Sequence, residues 1–259
     1  PKQKDTSEQP TVAAPVETPE QDTAAADVPD DVETGPVETP AESTPEPSGD
    51  PQTGESAQAN TEQPEYVSPE EIQASATGEY EEVGGMMIDT GTGKDKYQTD
   101  PVPEGKPIPV EPEDVEIGDA EYTCTLSISC ATILDNMDLC NKEKRELVPE
   151  DGWLLKPVEV SFKQGQSVFD VLQQVCRDNK IHMEFSMTPI YNSAYIEGIG
   201  NLYEFDCGEV SGWMYKVNDW FPNYGCSRYQ LQNGDVVEWE YTCELGKDIG
   251  GGYATGGDA

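Results

Sequence analysis

Basic residues are scarce in this chain: 15 Lys and Arg stand against 52 Asp and Glu, giving a formal net charge of −37. With no basic patch to neutralise phosphates, nucleic acid is excluded as a partner, and so is docking on anionic lipid. Histidine is scarcer still. His182 is the single one, which leaves zinc chemistry short of ligands and His-based nucleophilic catalysis short of a base. No apolar run approaches the roughly 20 residues of a membrane helix. The opening Pro1-Lys-Gln-Lys4 lacks the apolar stretch of an export signal, so a mature form, already relieved of its signal, is expected. Cysteine, tryptophan and phenylalanine are all absent before residue 122, and none of the seven cysteines beyond it forms a Cys-x-x-Cys pair.

What is present falls into two kinds of sequence. Up to Glu121 there are 31 acids, 5 bases and 17 of the 21 prolines. So much charge with so little apolar mass cannot offset the entropy of ordering, and a disordered acidic arm is expected. Residues 1–65 are the low-complexity part, rich in Pro, Glu and Thr, with Pro-Val-Glu-Thr-Pro at both 15–19 and 36–40. Residues 66–120 form a mostly irregular linker in which Ser68-Pro-Glu-Glu71 can cap a short helix. The run Gly91-Thr-Gly-Lys94 lacks the upstream glycine and following Ser or Thr of a phosphate loop and is set aside. A folded domain is expected over 121–250, then a flexible glycine-rich tail over 251–259. Seven cysteines within that one small domain favour disulfides and an oxidising, extracellular setting over a metal site. Asp135-Asn-Met-Asp138 lacks the glycine and terminal glutamate of a calcium loop.

Periodicity sets the expected elements of the domain. Cys124, Leu126, Ile128 and Cys130 alternate with Thr and Ser, the pattern of a half-buried strand; Val158, Val160 and Phe162 suggest a second. Ser167 is a good N-cap for a helix whose stripe is Val168, Val171, Leu172 and Val175, ending at Asn179 or Lys180. A strand over 181–187 follows, then a hairpin around Gly198–Asn201. Most aromatic of all is Ser211–Thr242. There Trp213, Tyr215 and Val217 alternate, Asn218-Asp219 and Asn233-Gly234 read as tight turns, and Val237, Trp239 and Tyr241 share a face. The fold class expected is α+β: a single small β-grasp-like domain with one packed helix.

Four stretches together carry a resemblance: Cys124-Thr-Leu-Ser-Ile-Ser-Cys130, Ser167-Val-Phe-Asp-Val-Leu172, Tyr195-Ile-Glu-Gly198, and Ser211-Gly-Trp-Met-Tyr-Lys-Val-Asn218 with Trp220-Phe-Pro-Asn-Tyr-Gly225. Over roughly 121–250 the chain resembles the transcobalamin-like C-terminal domains of Gram-positive bacterial surface proteins and lipoproteins. That resemblance implies a cobalamin-binding or related module on the cell surface. In the vertebrate carriers a small β-rich domain closes over the corrinoid while a large helical domain supplies the other wall. Carried over by position, Trp213 and its strand neighbours would face the ligand; nothing in these 259 residues matches the helical wall.

The candidate ligand-binding residues are Trp213, Tyr215, Trp220 and Tyr224, a platform for a planar or sugar-like small molecule. The competing reading is that these rings simply fill the core of a small sheet. Asp206, Glu209 and Asp219 are a weak acid-pair candidate, and no catalytic residue is assigned; a non-enzymatic module is expected, without cofactor unless cobalamin is its ligand. Cys207 and Cys226 bracket the aromatic hairpin and are the first disulfide candidates. Cys124, Cys130, Cys176 and Cys243 are further ones, with Cys140, in a polar loop, left over. The partner is a small ligand or, in the alternative of a structural or adhesive module, another surface protein.

Overall fold

The computed structural model describes residues 68–255. The acidic arm expected over 1–65 and the final four residues lie outside the described residues. Helix α1 (Pro69–Ala74) opens with a capping box, in which the Ser68 hydroxyl accepts from the Glu71 N–H and the Glu71 carboxylate accepts from the Ser68 N–H. A hairpin follows, β1 (Tyr80–Val83) with β2 (Met86–Asp89). It turns on Gly84 and Gly85, both at positive φ, as a two-residue loop between twisted strands requires. Asp89 ties the hairpin to the chain on either side, accepting backbone N–H bonds from Thr77, Gly78, Gly91 and Thr92. Burial raises its pKa, but those four donors together outweigh it and hold the carboxyl at about 2.

The main layer begins at β3 (Glu121–Ser129), whose alternation buries Cys124, Leu126 and Ile128 as the sequence predicts. One turn of helix, α2 (Thr132–Asp135), precedes β4 (Trp153–Lys163), which returns antiparallel along β3. Helix α3 (Val168–Asn179) starts where expected. The Ser167 hydroxyl accepts from the Asp170 N–H and the Asp170 carboxylate from the Ser167 N–H at 2.8 Å. Lys180, in the left-handed region, ends the helix. Its stripe of Val168, Val171, Leu172 and Val175 joins Leu126, Val160 and Phe162 in one apolar cluster. Each such side chain stabilises the fold by about 1.5–3 kcal/mol relative to exposure.

A second sheet is built from β5 (Met183–Thr188), β6 (Ser193–Ile199) and β7 (Leu202–Tyr203), with the β6–β7 turn on Gly200 and Asn201 at positive φ. Strand β8 (Gly212–Val217) ends in a turn in which Asn218 and Asp219 are both left-handed and Trp220 pairs back onto Val217. Strand β9 (Val236–Thr242) then enters between β8 and β3, antiparallel to the first and parallel to the second, for a sheet order β4-β3-β9-β8. A hairpin, a helix, and a late strand inserted in parallel beside the first is a β-grasp layer. Val237, Trp239 and Tyr241 are buried on one face of β9.

The segments flanking this layer are packed against it. Residues 95–111, in the expected linker, are pinned by Arg228, which is 1% exposed. Its guanidinium donates to Asp95 at 2.7 Å, Glu111 at 2.6 Å and Thr99 at 2.6 Å. Its carbonyl accepts from the Val110 N–H. At the other end, residues 252–255, expected within a flexible tail, form a 3₁₀ turn, and the Tyr253 hydroxyl accepts from the Phe221 N–H. Gly251 lies against the Phe221 ring so closely that a Cβ there would come within 2.9 Å of it.

The cysteine expectation is corrected. All seven cysteines are free and buried. Cys207 and Cys226 do not bridge: Cys207 sits in a satellite cluster with Cys130, Cys140 and Cys243, whereas Cys226 belongs to the main core with Cys124 and Cys176. Cys140, assigned to a polar loop, is buried in the same satellite cluster as Cys207. Thiols pack here as small apolar side chains, and burial pushes Cys124 to about 11 and Cys176 to about 12.

Candidate functional site

The aromatic stretch supplies three walls of a cavity of about 290 Å³. Trp213 and Tyr215 reach it from β8 and Trp239 from β9; Asn223, Tyr224 and Gly225 come from the segment after the Trp220 turn; Ser193–Ile196 come from the second sheet. Tyr97–Thr99 and Ala254–Thr255 complete the rim, so the flanking segments are part of the wall. Gly225 lets two of these walls meet. A Cβ at this position would fall 1.7 Å from the Ser193 hydroxyl oxygen, so only glycine allows the 222–228 segment to lie on β6.

Hydrogen bonds fix most of the rings. Trp213 donates its indole N–H to the Leu202 carbonyl at 2.8 Å and meets Tyr241 edge to face. Tyr215 donates to the Tyr224 carbonyl at 2.8 Å, and its ring lies 5.5 Å from that of Trp239. Tyr224 donates to the Pro107 carbonyl at 2.7 Å and stacks on Tyr229. Burial raises the pKa of Tyr215 and Tyr224 far above neutrality, so both remain neutral hydroxyls. Trp220 is the exception among the expected site residues. It is buried behind the cavity, edge-on to Tyr224, with the Lys106 ammonium 5.4 Å over its ring.

The polar groups of the cavity lining were not legible in the sequence. Gln98 Oε1, Asn223 Oδ1, Arg228 Nε and Trp239 Nε1 are all buried and have no hydrogen-bond partner within the protein. The described residues hold five such atoms, and these four belong to residues lining the one cavity. A buried donor or acceptor left unpaired costs about 1–3 kcal/mol, and these four atoms, sealed from solvent, are local costs in the packing around the cavity rather than groups that face into it. Asn223 is held by donating its amide nitrogen to the Asp100 carbonyl at 3.2 Å. Gln98 stands at φ 65, uncommon for a side-chain-bearing residue, in a turn closed by an Asp95 N–H to Thr99 carbonyl bond.

The ionisable candidates lie elsewhere. Asp206 is buried but engaged, accepting from the Tyr203 N–H and from Asn141, with Lys144 at 3.2 Å. Glu209 and Asp219 are exposed, and none of the three lines the cavity. His182 is exposed and hydrogen-bonds Glu184 and Tyr203. Among the described residues no group of three or more His, Cys, Asp or Glu is placed to hold a metal ion. No helix among them is long and apolar enough to cross a membrane.

Residues 165–243 match a family model described as a domain of unknown function, DUF4430. The match runs from the start of α3 through β9 and takes in the aromatic stretch. Among solved structures, haptocorrin in complex with Cbi is similar at 13% identity with a TM-score of 0.36, over 49% of this chain and 26% of its own. This chain therefore spans about a quarter of that protein. A structure from Ruminococcus gnavus ATCC 29149, described as a candidate metal binding protein, is similar at 12% identity and TM-score 0.29, over 47% of this chain and 96% of its own. At these scores neither carries an argument about function. No curated protein matches.

Proposed function

We propose that this chain is a non-enzymatic extracellular binding domain, borne on its acidic arm at a bacterial cell surface, whose aromatic-walled cavity holds a small ring-shaped ligand. The cavity itself carries the reading: about 290 Å³, walled by tyrosine and tryptophan rings, with the hydroxyl-bearing Thr99, Thr188, Ser193 and Thr255 in its lining. That is the composition expected of a ligand pocket, apolar walls with a few polar groups that set orientation. Size bears on the corrinoid that the family resemblance implies. Pockets that enclose drug-sized ligands run from about 300 to 1,000 Å³, so this one admits one edge of a corrinoid macrocycle or the whole of a one- or two-ring molecule. The non-enzymatic assignment draws on Asp206 and His182, which are tied into hydrogen bonds away from the cavity. The surface assignment draws on the acidic arm and the sequence resemblance.

The test is ultraviolet difference spectroscopy and tryptophan quenching on titration with cobalamin and with one- and two-ring heterocycles and sugars. Saturable quenching by any of them, weakened in Trp213→Phe, supports the reading. Unchanged spectra at millimolar ligand throughout would refute it in favour of an adhesive module without a small ligand. One observation favours that second reading: edge strand β5 exposes Phe185 and Met187, with Tyr195 exposed on the adjacent β6. An open edge carrying large apolar side chains is a natural protein contact.

A further inference from the structure

We infer that the cavity receives a small organic cation, a single ring whose positive charge sits on a fully alkylated nitrogen. This deepens the binding-domain reading and rests on it.

The charges around the cavity fall on the negative side. Arg228, which lines it, donates to Asp95 and Glu111; Tyr97 donates its hydroxyl to Glu113 at 3.2 Å and accepts from Lys96; Tyr195 donates its hydroxyl to Glu204. Four carboxylates thus stand against two cations among the groups bonded to these lining residues. An anion would meet that excess as repulsion. A cation is attracted by it, and is steered from further away by a chain of net charge −37.

The open walls favour the same sign. Tyr191 and Tyr195 keep 40% and 48% of their surface exposed and Trp213 is half-buried, whereas Tyr215, Tyr224 and Trp239 are nearly sealed. The first three are therefore the rings within a guest's reach, and the negative face of an aromatic ring attracts a cation. The bond from the Tyr195 hydroxyl to the Glu204 carboxylate polarises that phenol and enriches its ring in electrons. Tyr97 already shows the preference within the protein: the Lys96 ammonium lies 4.7 Å from its ring centre and the Arg228 guanidinium 5.2 Å.

The kind of cation follows from what the lining lacks. A hard metal ion needs several oxygen ligands, and no Asp or Glu lines the cavity. A primary ammonium brings three N–H donors and a tight hydration shell, while the nearby carboxylates are already bonded to protein groups. An alkylated nitrogen has no N–H to satisfy, and it is the group that aromatic cages recognise. A volume of about 290 Å³ leaves room for one ring and its substituents.

The experiment is calorimetry on the full chain. The probes are N-methylpyridinium and N,N-dimethylpiperidinium, with toluene as the uncharged counterpart of the first and benzoate as an anion of similar size; cobalamin and neutral two-ring heterocycles are titrated alongside. Tyr195→Leu removes an exposed ring, and Glu204→Gln keeps the ring but removes the charge that its hydroxyl meets. Both positions lie near the surface, and thermal unfolding checks that each variant folds; should Tyr195→Leu not fold, Glu204→Gln carries the test. The expected result is saturable binding of at least one cation, at least about tenfold tighter than toluene or benzoate, weakened about tenfold in Tyr195→Leu and about threefold in Glu204→Gln. Binding of the pyridinium identifies a flat aromatic cation and binding of the piperidinium alone a saturated one; either supports the inference. Toluene or benzoate bound as tightly as the cations overturns it. So does cation binding that both variants leave unchanged, because the cation then sits elsewhere. Binding of cobalamin or a neutral heterocycle without either cation overturns it but leaves the binding-domain reading standing. Binding of none overturns both.

Discussion

Replacing Arg228 by glutamine removes the cation that draws residues 95–111 onto the sheet. In the folded chain its Nη2 lies 2.7 Å from Asp95 and 2.6 Å from Glu111, with Nη1 2.6 Å from Thr99. The guanidinium side chain is 1% exposed, but the carboxylates keep 11% and 22% of theirs. That placement puts the triad between exposed pairs, worth roughly 0–1 kcal/mol, and fully buried ones, whose breakage costs about 3–5 kcal/mol. Because the two stranded carboxylates retain some water, the loss should fall at the lower end of the second range, about 3 kcal/mol. For a domain of this size each kcal/mol moves Tm by about 2–4 °C, so Tm should drop by roughly 6–12 °C. Thermal and urea unfolding of the parent and Arg228→Gln measure this directly. Adding Asp95→Asn and Glu111→Gln to the variant removes the unpaired charges and should recover more than half of the loss. A loss under about 1 kcal/mol, or no recovery in the triple variant, would refute the claim that this cation holds the flanking segment and the Tyr97–Thr99 wall in place.

Three further outcomes follow from the same geometry. Asp89 ionises at about 2 when folded against an ordinary 3.8, so its contribution is fully present above about pH 4 and fades as pH falls toward 2. Asp89→Asn should therefore be most destabilised near neutrality and converge with the parent in acid; a gap independent of pH in denaturation curves would contradict this. Ser167→Ala deletes the hydroxyl that caps α3 and should cost about 1 kcal/mol, or about 2–4 °C in Tm by calorimetry. With all seven cysteines free and buried, a thiol reagent should label none in the native chain and seven after unfolding. Fewer than seven in unfolded, unreduced protein would reveal a disulfide.

Local patterns foretold the elements because their causes are local. Ser167 with Asp170 caps a helix whatever surrounds it, and Asn218-Asp219 turns a strand because both residues tolerate positive φ. The cysteines misled for the complementary reason. Their density suggested bridges, yet spacing carries no information about which thiols meet in space, and the packing separates Cys207 from Cys226.

Over 121–250 the sequence by itself determined the strands, the helix, the aromatic faces and three of the four proposed site residues, since period and turn chemistry act over a few neighbouring positions; the β1–β2 hairpin in the stretch expected to be irregular was not among them. Tertiary structure alone decided that Trp220 lies behind the cavity, and that Gln98, Asn223, Arg228 and Trp239 contribute to its lining. Arg228 and Asp95 stand 133 residues apart in the chain. No periodicity spans that distance; only folding, which brings two charges of opposite sign together away from water, could make one residue a wall of the other's site.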